Sequence, residues 1–327
     1  MLMDILWYKD DEVNFTKAYN ELARNSNRQW PHWMPFNKVY NYERLIERSH
    51  INDISFIIKN NDKPVMGLLG FSCYNPDIID VPSIIIENSE IRTAKIQKNF
   101  FKVFDNMPLK NHSFWLRDFL ENGNLSEFSK KLLREGAQAK LTFAQVLDLT
   151  LDIESLRKQI RKSYKSLINK GFEEMDIKIF NYENINQDTI FRFRDLHISE
   201  AGRETKSKNS WLNKYNIVKN NEGFLVTGEI NGELISAGLF SISSDYADYQ
   251  VSASRSYKNN KPLFHSLMWK AIDFAKAIGC KYFEIGEIVY RNHPNISKPL
   301  EKEIGISTFK SGFGGFTKAI VDVEMQF

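Results

Sequence analysis

The sequence predicts an α/β (α+β) protein made of two tandem domains, each with a mixed, mostly antiparallel sheet flanked by helices. Three observations carry this expectation. The 327 residues suffice for two domains of ordinary size. An apolar content of 42% and a charged content of 26% are typical of a globular chain rather than a disordered one. Finally, two stretches far apart in the chain repeat one plan of strands, turn and helix.

The first repeated feature is an antiparallel hairpin. Residues 55–72 (SFIIKNNDKPVMGLLGFS) and residues 223–242 (GFLVTGEINGELISAGLFSI) each read as an apolar strand, a polar turn and a second apolar strand. The turn of the second copy, Asn231–Gly232, is the pair of residues that most strongly favours a tight hairpin. Pairing Asn61 with Asn231 gives an offset of 170 residues.

The second repeated feature is a helix followed by a strand. Residues 97–119 (QKNFFKVFDNMPLKNHSFWLRDF) and residues 264–287 (FHSLMWKAIDFAKAIGCKYFEIGE) both begin with apolar positions at helical spacing. In the second copy, Gly279 is expected to end the helix before the strand KYFEIGE. Pairing Ser113 with Lys281 gives an offset of 168 residues, close to that of the hairpins. The agreement predicts a duplicated α/β plan.

The domain boundary is predicted between residues 149 and 150. The strand-like stretch LTFAQVLDLTLD is followed there by the start of a helix, for which Asp152 or Ser155 is the expected N-cap. No Gly/Ser-rich linker interrupts the chain at this point. We therefore expect a first domain over residues 1–149 and a second over residues 150–327.

The net charge, the two cysteines and the absence of known motifs argue against several classes of protein. A net charge of +3 is too small to indicate nucleic-acid binding by itself. Cys73 and Cys280 lie far apart without metal-ligand companions, so we expect buried thiols and neither a disulfide framework nor a metal site. Without a secretory signal or a membrane-length apolar run, a cytoplasmic location is expected. Because the phosphate-loop, dinucleotide and serine-elbow motifs are missing, we expect no tightly bound cofactor and no covalent nucleophile.

Residues 156–171 (LRKQIRKSYKSLINKG) are predicted to form one basic helix, with Gly171 as its C-cap. The run contains no acidic residue, so ion pairs along the helix do not explain its charges. A face of one sign suits a phosphate-bearing substrate or an RNA backbone, with Arg157, Arg161 and Lys165 as the contacts. A merely solvated basic face is the alternative.

Residues 195–211 (DLHISEAGRETKSKNSW) combine proton-transfer, anion-binding and aromatic groups in one short segment. His197 and Glu204 are the candidate proton-transfer residues, provided that a cleft brings them near a reacting group. An ordinary polar loop is the alternative. The candidate substrate-binding residues of this segment are Arg203, Lys206 and Trp211.

The stretch DYQVSASRSYKNNKPLFHS is predicted to be a strand, a loop and the start of a helix. Tyr249 and Arg255 are expected at the strand end, and the helix begins near Leu263, just after Pro262. His265 lies in its first turn, where free backbone N–H groups attract anions. We take Tyr249, Arg255 and His265 as candidate substrate-binding residues, although the pattern also fits a segment that binds nothing.

Residues 306–315 (ISTFKSGFGG) read as a strand end followed by a glycine-rich bend. Lys310 is the single cation there, and it either points into water or faces a charge on a substrate. The preceding polar stretch, residues 291–303, is expected to be a loop that covers a site, with Lys302 as a candidate substrate contact.

The order of these motifs resembles that of the FemAB-like peptidyltransferases, whose members consist of two N-acetyltransferase-type (GNAT) domains. The resemblance covers residues 150–327 and rests on the basic helix, the hairpin, the pattern A…AK..G…FEIG and the motif FK..FGG. HISEAGRETKSKNSW and KPLEKEIGISTFKSGF resemble the branch associated with bacterial surface-polysaccharide genes. Residues 1–149 match only in plan, and the early substrate motif of the cell-wall enzymes is not evident in residues 28–40 (RQWPHWMPFNKVY).

The resemblance implies two GNAT-type domains and transfer of an acyl or aminoacyl group to an amine. It also implies that Lys310, beside Phe309, stabilises charge during transfer, while Gly312, Gly314 and Gly315 leave room for a bulky substrate. The donor is either aminoacyl-tRNA or acyl-CoA. The stretch SRSYKNNKPLFHS lacks the glycines with which GNAT enzymes bind the CoA pyrophosphate, which weakens the case for acyl-CoA.

The leading hypothesis is therefore a FemAB-like N-acyltransferase. Its acceptor would be the amino group of a phosphate-bearing cell-envelope or surface-polysaccharide precursor, such as a nucleotide- or lipid-linked amino sugar. A CoA-dependent N-acetyltransferase of an amino sugar is the alternative among enzymes. A catalytically silent RNA- or glycan-binding protein on the same scaffold is the alternative from another class.

Overall fold

The computed structural model describes residues 3–24, 30–46, 50–74, 81–88, 91, 93–120, 123–255, 263–292, 296 and 298–327. The chain forms two compact units that alternate along the sequence. Unit 2 consists of Trp30–Tyr40 and Phe143–Lys318. Unit 1 consists of Met1–Gln29, Asn41–Thr142 and Ala319–Phe327.

The first stretch of chain runs from unit 1 through the Trp30–Tyr40 segment and back to unit 1. Its elements, in chain order, are β1 (Met3–Trp7), α1 (Glu12–Arg24), a 3-10 turn (Pro31–Trp33), α2 (Pro35–Ile46), β2 (Ile51–Asp53), β3 (Phe56–Asn60), β4 (Lys63–Leu69), β5 (Phe71–Cys73), β6 (Ile84–Glu87), α3 (Ala94–Asp105), β7 (Ser113–Asp118), α4 (Glu127–Arg134) and β8 (Gln138–Asp148).

The remaining elements belong to unit 2 up to the start of the final strand. They are α5 (Ile153–Gln159), α6 (Lys162–Glu174), β9 (Asp176–Phe180), α7 (Gln187–Ala201), α8 (Lys208–Lys219), β10 (Gly223–Ile230), β11 (Glu233–Ile242), β12 (Tyr246–Ser254), α9 (Phe264–Ala277), β13 (Tyr282–Glu287), α10 (Glu301–Ser311) and β14 (Phe316–Gln326).

Unit 1 contains an antiparallel sheet in the order β1-β3-β4-β6. The predicted hairpin of residues 55–72 is β3 and β4, and the predicted helix and strand of residues 97–119 are α3 and β7. Ile5 of β1 lies opposite Ile58 of β3. Phe100 of α3 packs in the same apolar cluster as Ile58 because one face of each element is apolar.

Unit 2 contains a sheet in which β9, β10, β11 and β12 pair antiparallel in sequence order. The predicted hairpin turn is present: Asn231 and Gly232 have φ angles of 51° and 80°, which a tight turn between twisted strands requires. β13 pairs parallel with β12 and antiparallel with the Phe143–Asp148 part of β8. The expected mixed, mostly antiparallel sheet is confirmed.

Helices cover both faces of the unit 2 sheet. On one face, α5, α6 and α9 pack against a cluster that contains Phe240 and Phe283. On the other, α7 and α8 pack against a cluster that contains Leu239. Neighbouring strand residues such as Leu239 and Phe240 point to opposite faces, so each strand contributes to both clusters. Cys280 is buried in the first cluster and Cys73 is buried in unit 1, and both are free thiols as expected.

The prediction of one basic helix over residues 156–171 is wrong. Helix α5 ends at Gln159 and α6 begins at Lys162, because Ile160 adopts extended backbone and turns its side chain into the core. Gly171 does not end α6, which continues to Glu174. A Cβ at Gly171 would lie 2.6 Å from the Cβ of Ser266, so the glycine permits close approach of α6 and α9.

The expectation of a strand end at residues 306–310 is also wrong. These residues belong to α10, which begins within the stretch that the sequence assigned to a loop. The Glu303 carboxylate accepts a hydrogen bond from the backbone N–H of Leu300 over 2.7 Å, which caps the start of the helix. Without a Ser, Thr, Asp or Asn at the N-cap, the sequence gives little sign of this helix start.

Candidate functional site

The candidate site lies where the parallel strands β12 and β13 stop pairing. Their register joins Tyr246 to Tyr282 and ends at Asp248 and Glu284. Beyond these residues β12 continues to Ser254 and β13 to Glu287. Beyond Asp248 and Glu284 the two strands therefore no longer pair with each other.

Lys310 reaches this point from the last turn of α10. Its ammonium donates to the backbone carbonyl oxygen of Glu287 over 2.7 Å. Burial lowers the pKa of Lys310 below its ordinary value, and the negative charges of Glu287, Asp248 and Glu284 oppose that decrease. Lys310 is thus a positioned, half-buried amine beside several carboxylates.

Gly286 makes room for this ammonium. Its φ angle of 111° is one that residues with a side chain rarely adopt, and a Cβ there would lie 3.0 Å from the Lys310 Nζ. The glycine also interrupts the register between β13 and β8. The sequence FEIGE therefore supplies both the acidic side chain of Glu284 and the opening that Lys310 enters.

Two buried carboxylates lie side by side on this part of the sheet. Asp248 and Glu284 are in register on β12 and β13 and are 3% and 5% exposed. The Tyr246 hydroxyl donates to Glu284 over 2.7 Å, and the His32 Nε2 lies 2.9 Å from an Asp248 oxygen. These polar contacts offset the cost of removing the carboxylates from water.

The segment Trp30–Tyr40 covers this polar region within unit 2. The buried side chain of Asn37 accepts hydrogen bonds from Ser241 and Gln250, each over 2.8 Å. Its backbone N–H donates to a carboxylate oxygen of Glu222 over 2.9 Å. This segment is part of the stretch of residues 28–40 that was compared with the substrate motif of the cell-wall enzymes. Residues 28 and 29 lie outside the described residues.

An aromatic cluster stands beside Lys310. The Phe309 ring lies 5.1 Å from the His265 ring, which lies 4.2 Å from the Tyr164 ring. His265 is 4% exposed and also stacks on Phe313, so it is part of this core and its role as a substrate contact stays a prediction. Pro262, expected before α9, lies outside the described residues.

The glycines after Lys310 do not leave open space for a substrate. A Cβ at Gly312 would lie 2.2 Å from the Tyr164 ring, and one at Gly314 would lie 2.6 Å from Gln159. A Cβ at Gly315 would lie 2.1 Å from a strand carbonyl oxygen. The expectation that these glycines admit a bulky donor or acceptor is wrong, because atoms of the chain already fill the space.

The basic residues of α5 and α6 lie on the same face of the sheet as α10. The Arg161 guanidinium lies 5.1 Å from the centre of the Tyr164 ring and donates to the Thr308 carbonyl oxygen. Arg157 lies 5.6 Å from the centre of the Trp269 ring, and Lys165 donates to a backbone carbonyl. Their contact with phosphate or RNA stays a prediction.

The residues of the 195–211 segment lie on the opposite face, in and between α7 and α8. Trp211 is 1% exposed and packs against Phe193 and His197, so it is part of the core, and its role as a stacking surface for a substrate stays a prediction. Burial lowers the pKa of His197, and the charges of Lys206 and Lys214 lower it further. The described residues show no contact between His197 and Lys310.

The other candidates of this region are exposed or paired within the chain. Glu204 forms an ion pair with Arg194 at 2.7 Å, and Arg255 forms ion pairs with Glu233 and Glu200. The Tyr249 hydroxyl lies 2.5 Å from the Ser252 hydroxyl, and burial raises the Tyr249 pKa. Their roles stay predictions. So do those of the exposed Arg203, the half-buried Lys206 and the exposed Lys302.

Several residues of the candidate site were not predicted from the sequence, among them His32, Asn37, Asp248 and Glu284. For the last two a signal was present, because each is an acidic residue flanked on both sides by apolar or aromatic residues within a predicted strand, as in YADY and YFEI. For His32 and Asn37 no local pattern indicates that their segment packs into the second unit.

Metal-binding and membrane-spanning features are missing from the described ranges. No group of three or more His, Cys, Asp or Glu side chains there is placed to hold a metal ion. No helix in those ranges combines the length and apolar character needed to cross a bilayer.

Known proteins resemble this chain in structure rather than in sequence. No protein-family model matches it. None of the curated proteins matches it either. The crystal structure of FemX superimposes with a TM-score of 0.69 at 8% identity, covering 98% of this chain and 97% of FemX.

Two further known structures superimpose on this chain. The C-terminal domain of a protein described as a lysylphosphatidylglycerol synthetase, from Agrobacterium fabrum, gives a TM-score of 0.59 at 9% identity over 96% of this chain and 92% of that one. A GNAT-family acetyltransferase from Colwellia psychrerythraea gives 0.50 at 13% identity over the full length of both chains. The chain therefore has the fold of FemX and of GNAT-type acyltransferases, as its motifs led us to expect.

Proposed function

We propose that this protein is an N-acyltransferase that moves an acyl or aminoacyl group onto an amine at the end of the β12–β13 register. The observation that carries the proposal is the Lys310 ammonium, held 2.7 Å from the Glu287 carbonyl oxygen beside two buried carboxylates. Buried, positioned charges of both signs favour reactions in which charge develops and a proton moves. The shared fold with GNAT-type acyltransferases supports the same class.

The surplus of carboxylates suits an amine substrate. Asp248, Glu284 and Glu287 outnumber the single ammonium of Lys310, so a substrate ammonium ion is attracted to this place. The amine must lose its proton before it attacks, and Asp248 or Glu284 is placed to receive it. This assignment differs from the sequence prediction of His197 and Glu204, and we prefer the two carboxylates because their charges act on Lys310.

The reaction balances without a covalent enzyme intermediate. The neutral amine nitrogen forms a bond to the carbonyl carbon of the donor, and the carbonyl oxygen takes up the negative charge. Lys310 stabilises that oxygen, whose charge then returns as the bond to the leaving oxygen or sulfur breaks. The proton that the substrate ammonium lost before the attack passes from the carboxylate to solvent. The nitrogen of the tetrahedral intermediate then loses a second proton to the carboxylate and from there to the leaving group, which yields an amide and an alcohol or a thiol.

The substrates we propose carry phosphate. Arg157, Arg161 and Lys165 lie on the same face as α10 and suit the backbone of aminoacyl-tRNA, the donor we favour over acyl-CoA. They suit the phosphates of a nucleotide- or lipid-linked amino sugar equally well. As the acceptor we propose such an amino sugar, a precursor of a cell-envelope or surface polysaccharide.

Thermal shift against three ligand groups tests the substrate classes. The panel contains CoA and acetyl-CoA, total aminoacyl-tRNA, and several nucleotide-linked amino sugars. A ligand at a hundredfold excess over its dissociation constant stabilises the fold by about 2.7 kcal/mol. We expect stabilisation by tRNA or by an amino sugar. A shift with CoA alone would make the protein a CoA-dependent acetyltransferase instead.

Transfer assays with two lysine variants test the catalytic assignment. Lys310→Ala removes the positioned ammonium, and the loss should cost roughly 2–4 kcal/mol of transition-state stabilisation. Lys276→Ala is the matched control, since Lys276 also lies in the last turn of a helix and donates to a backbone carbonyl, that of Leu149, over 2.8 Å. Turnover of K310A within about threefold of the parent would contradict the assignment. Salt-sensitive RNA binding without transfer would favour a silent binding protein.

A further inference from the structure

Unit 1 contains a cleft that plays no part in the chemistry proposed above. Its volume is about 1050 Å³, at the upper end of pockets that hold small-molecule ligands. One wall is the edge strand β1, and the other is the helix α3. The lining residues that the structure describes all belong to unit 1.

The floor of the cleft is aliphatic. Ile5 is 44% exposed, while Ile58, directly opposite it on the neighbouring strand, is 1% exposed, and both line the cleft. Met3 and Met107 close the floor with flexible side chains that adapt to irregular ligands. A large, exposed isoleucine inside a concave apolar surface is unfavourable in water and favours an apolar occupant.

The rim of the cleft is cationic along one helix face. Lys95, Asn99, Lys102 and Asn106 follow one another at spacings of three or four residues, so they form a row about 16 Å long on α3. Within the part of the chain that the structure describes, neither Lys95 nor Lys102 is ion-paired with a carboxylate. Other helix lysines, such as Lys131, do have such partners.

The far end of the cleft adds a third cation. The Lys9 Nζ lies 5.3 Å from the centre of the Trp7 ring, and both residues line the cleft. Among the described residues of the lining, the acidic side chain is that of Asp53, which accepts a hydrogen bond from the backbone N–H of Ser55 over 2.8 Å. The rim therefore carries more positive than negative charge above an aliphatic floor.

We propose that this cleft binds an anionic amphiphile. The acyl or alkyl chain lies over Ile5 and Ile58, and the carboxylate or phosphate head group lies at Lys95 and Lys102. A flexible aliphatic chain fits the floor because isoleucine and methionine line it, and an anion fits the rim because its lysines lack acidic partners. The proposal goes beyond acyl transfer and does not depend on it.

Calorimetric titration of the full chain tests both halves of the ligand. The probes are dodecanoate, dodecyl phosphate and dodecanol, each below the concentration at which micelles form. We expect the two anions to bind at least about tenfold more tightly than the neutral alcohol, and less tightly as salt is added. Shortening the chain should weaken binding by about fourfold per methylene. The tighter of the two anions identifies the head group.

Lysine variants on α3 distinguish binding in the cleft from general attraction of anions to a positively charged surface. Lys95→Glu combined with Lys102→Glu should weaken anion binding by at least about tenfold. Lys98→Glu makes the same kind of change on α3 outside the cleft lining and should alter binding by less than about twofold. Ile5→Gln should weaken all three probes, because it replaces an exposed apolar side chain on the floor.

Three results would overturn the proposal. They are equal affinity for dodecanol and dodecanoate, equal losses in K98E and in the K95E/K102E variant, and no binding of any probe by a chain that unfolds cooperatively. All the substituted side chains are exposed, so folding is retained and the binding measurement decides.

Discussion

The backbone N–H of Asn37 donates to a carboxylate oxygen of Glu222 over 2.9 Å, joining residues 185 positions apart in the chain. Both residues are buried, Glu222 being 4% exposed. Burial raises the pKa of Glu222 from 4.5 to about 7, although the hydrogen bonds from Phe36 and Asn37 oppose the rise. The folded protein therefore favours the protonated acid, and stability depends on pH at this residue.

We expect Glu222 to make unfolding easier as pH rises from 4.5 to about 7. The raised pKa means that the folded state holds the proton longer than the unfolded state, so the stabilisation is complete below pH 4.5 and lost by about pH 7. The loss is on the order of 3 kcal/mol, from about 1.4 kcal/mol per pH unit. Urea unfolding at a series of pH values measures it.

Glu222→Gln provides the control for this pH dependence. Glutamine keeps one acceptor oxygen for the backbone N–H of Asn37 but does not titrate. The stability of E222Q relative to the parent should therefore rise with pH across this window and level off above it. A constant difference would show that Glu222 does not titrate in the window. Taking the difference also removes the contributions of other groups, such as His197.

Gly171 and Gly305 should respond oppositely to alanine, although both lie inside helices. A Cβ at Gly171 would lie 2.1 Å from the Ser266 Oγ, whereas nothing lies within 4 Å of one at Gly305. We expect Gly171→Ala to lower the free energy of unfolding by about 1–3 kcal/mol through overpacking. Gly305→Ala should raise it by about 0.5–1 kcal/mol, because alanine favours helices. Chemical denaturation compares the two.

Ser266→Gly tests the cause of the Gly171 effect. It removes the Cβ and Oγ that the new methyl group would meet. Combined with Gly171→Ala, it should recover part of the lost stability, so the two changes are not additive. Additive losses in the double-mutant cycle would rule out this contact as the cause.

Loss of the Lys310 proton should reduce the rate of acyl transfer at alkaline pH. Its pKa lies below its ordinary value because it is partly buried, so the ammonium is lost at a lower pH than that of a surface lysine. We expect turnover to fall as pH rises through this pKa. Lys310→Arg keeps its charge at every accessible pH, so residual activity in that variant should lose the alkaline fall. An unchanged alkaline limb would assign the titration to another group.

His197 should titrate below 6.5 in the folded protein. Burial is the largest cause, and the charges of Lys206 and Lys214 add to it. Lys206→Gln should therefore raise the pKa of His197 without restoring its ordinary value. NMR titration of the imidazole protons measures both quantities. A pKa unaffected by K206Q would mean that solvent screens this charge.

The repeated plan of hairpin, helix and strand could be predicted because it depends on local patterns. Asn231–Gly232 specifies its own turn, and Gly279 ends α9 with a φ angle of 98°. The start of α10 could not be predicted, because Leu300 is not a residue that favours an N-cap. The break at Ile160 was also missed, since the apolar spacing of residues 156–168 continues through it.

The candidate site was predicted only in part, because most of its residues are far apart in the sequence. Lys310 carried a motif, whereas Asp248 and Glu284 become neighbours through strand pairing over a long sequence separation. His32 and Asn37 depend on a segment that leaves one unit and packs in the other. Residues clustered in sequence, such as His197 and Trp211, proved easier to notice than residues clustered in space.

The alternation of units has a consequence for folding during synthesis on the ribosome. Unit 2 ends at Lys318, whereas unit 1 also needs Ala319–Phe327, whose strand pairs with β7 from Gln326 at Ser113 to Val321 at Asp118. The unit that begins to emerge first is therefore completed last. Phe143–Lys318 of unit 2 must be synthesised before the final strand can pair with β7. One edge of β7 stays open during that time, which makes this strand a candidate for chaperone binding.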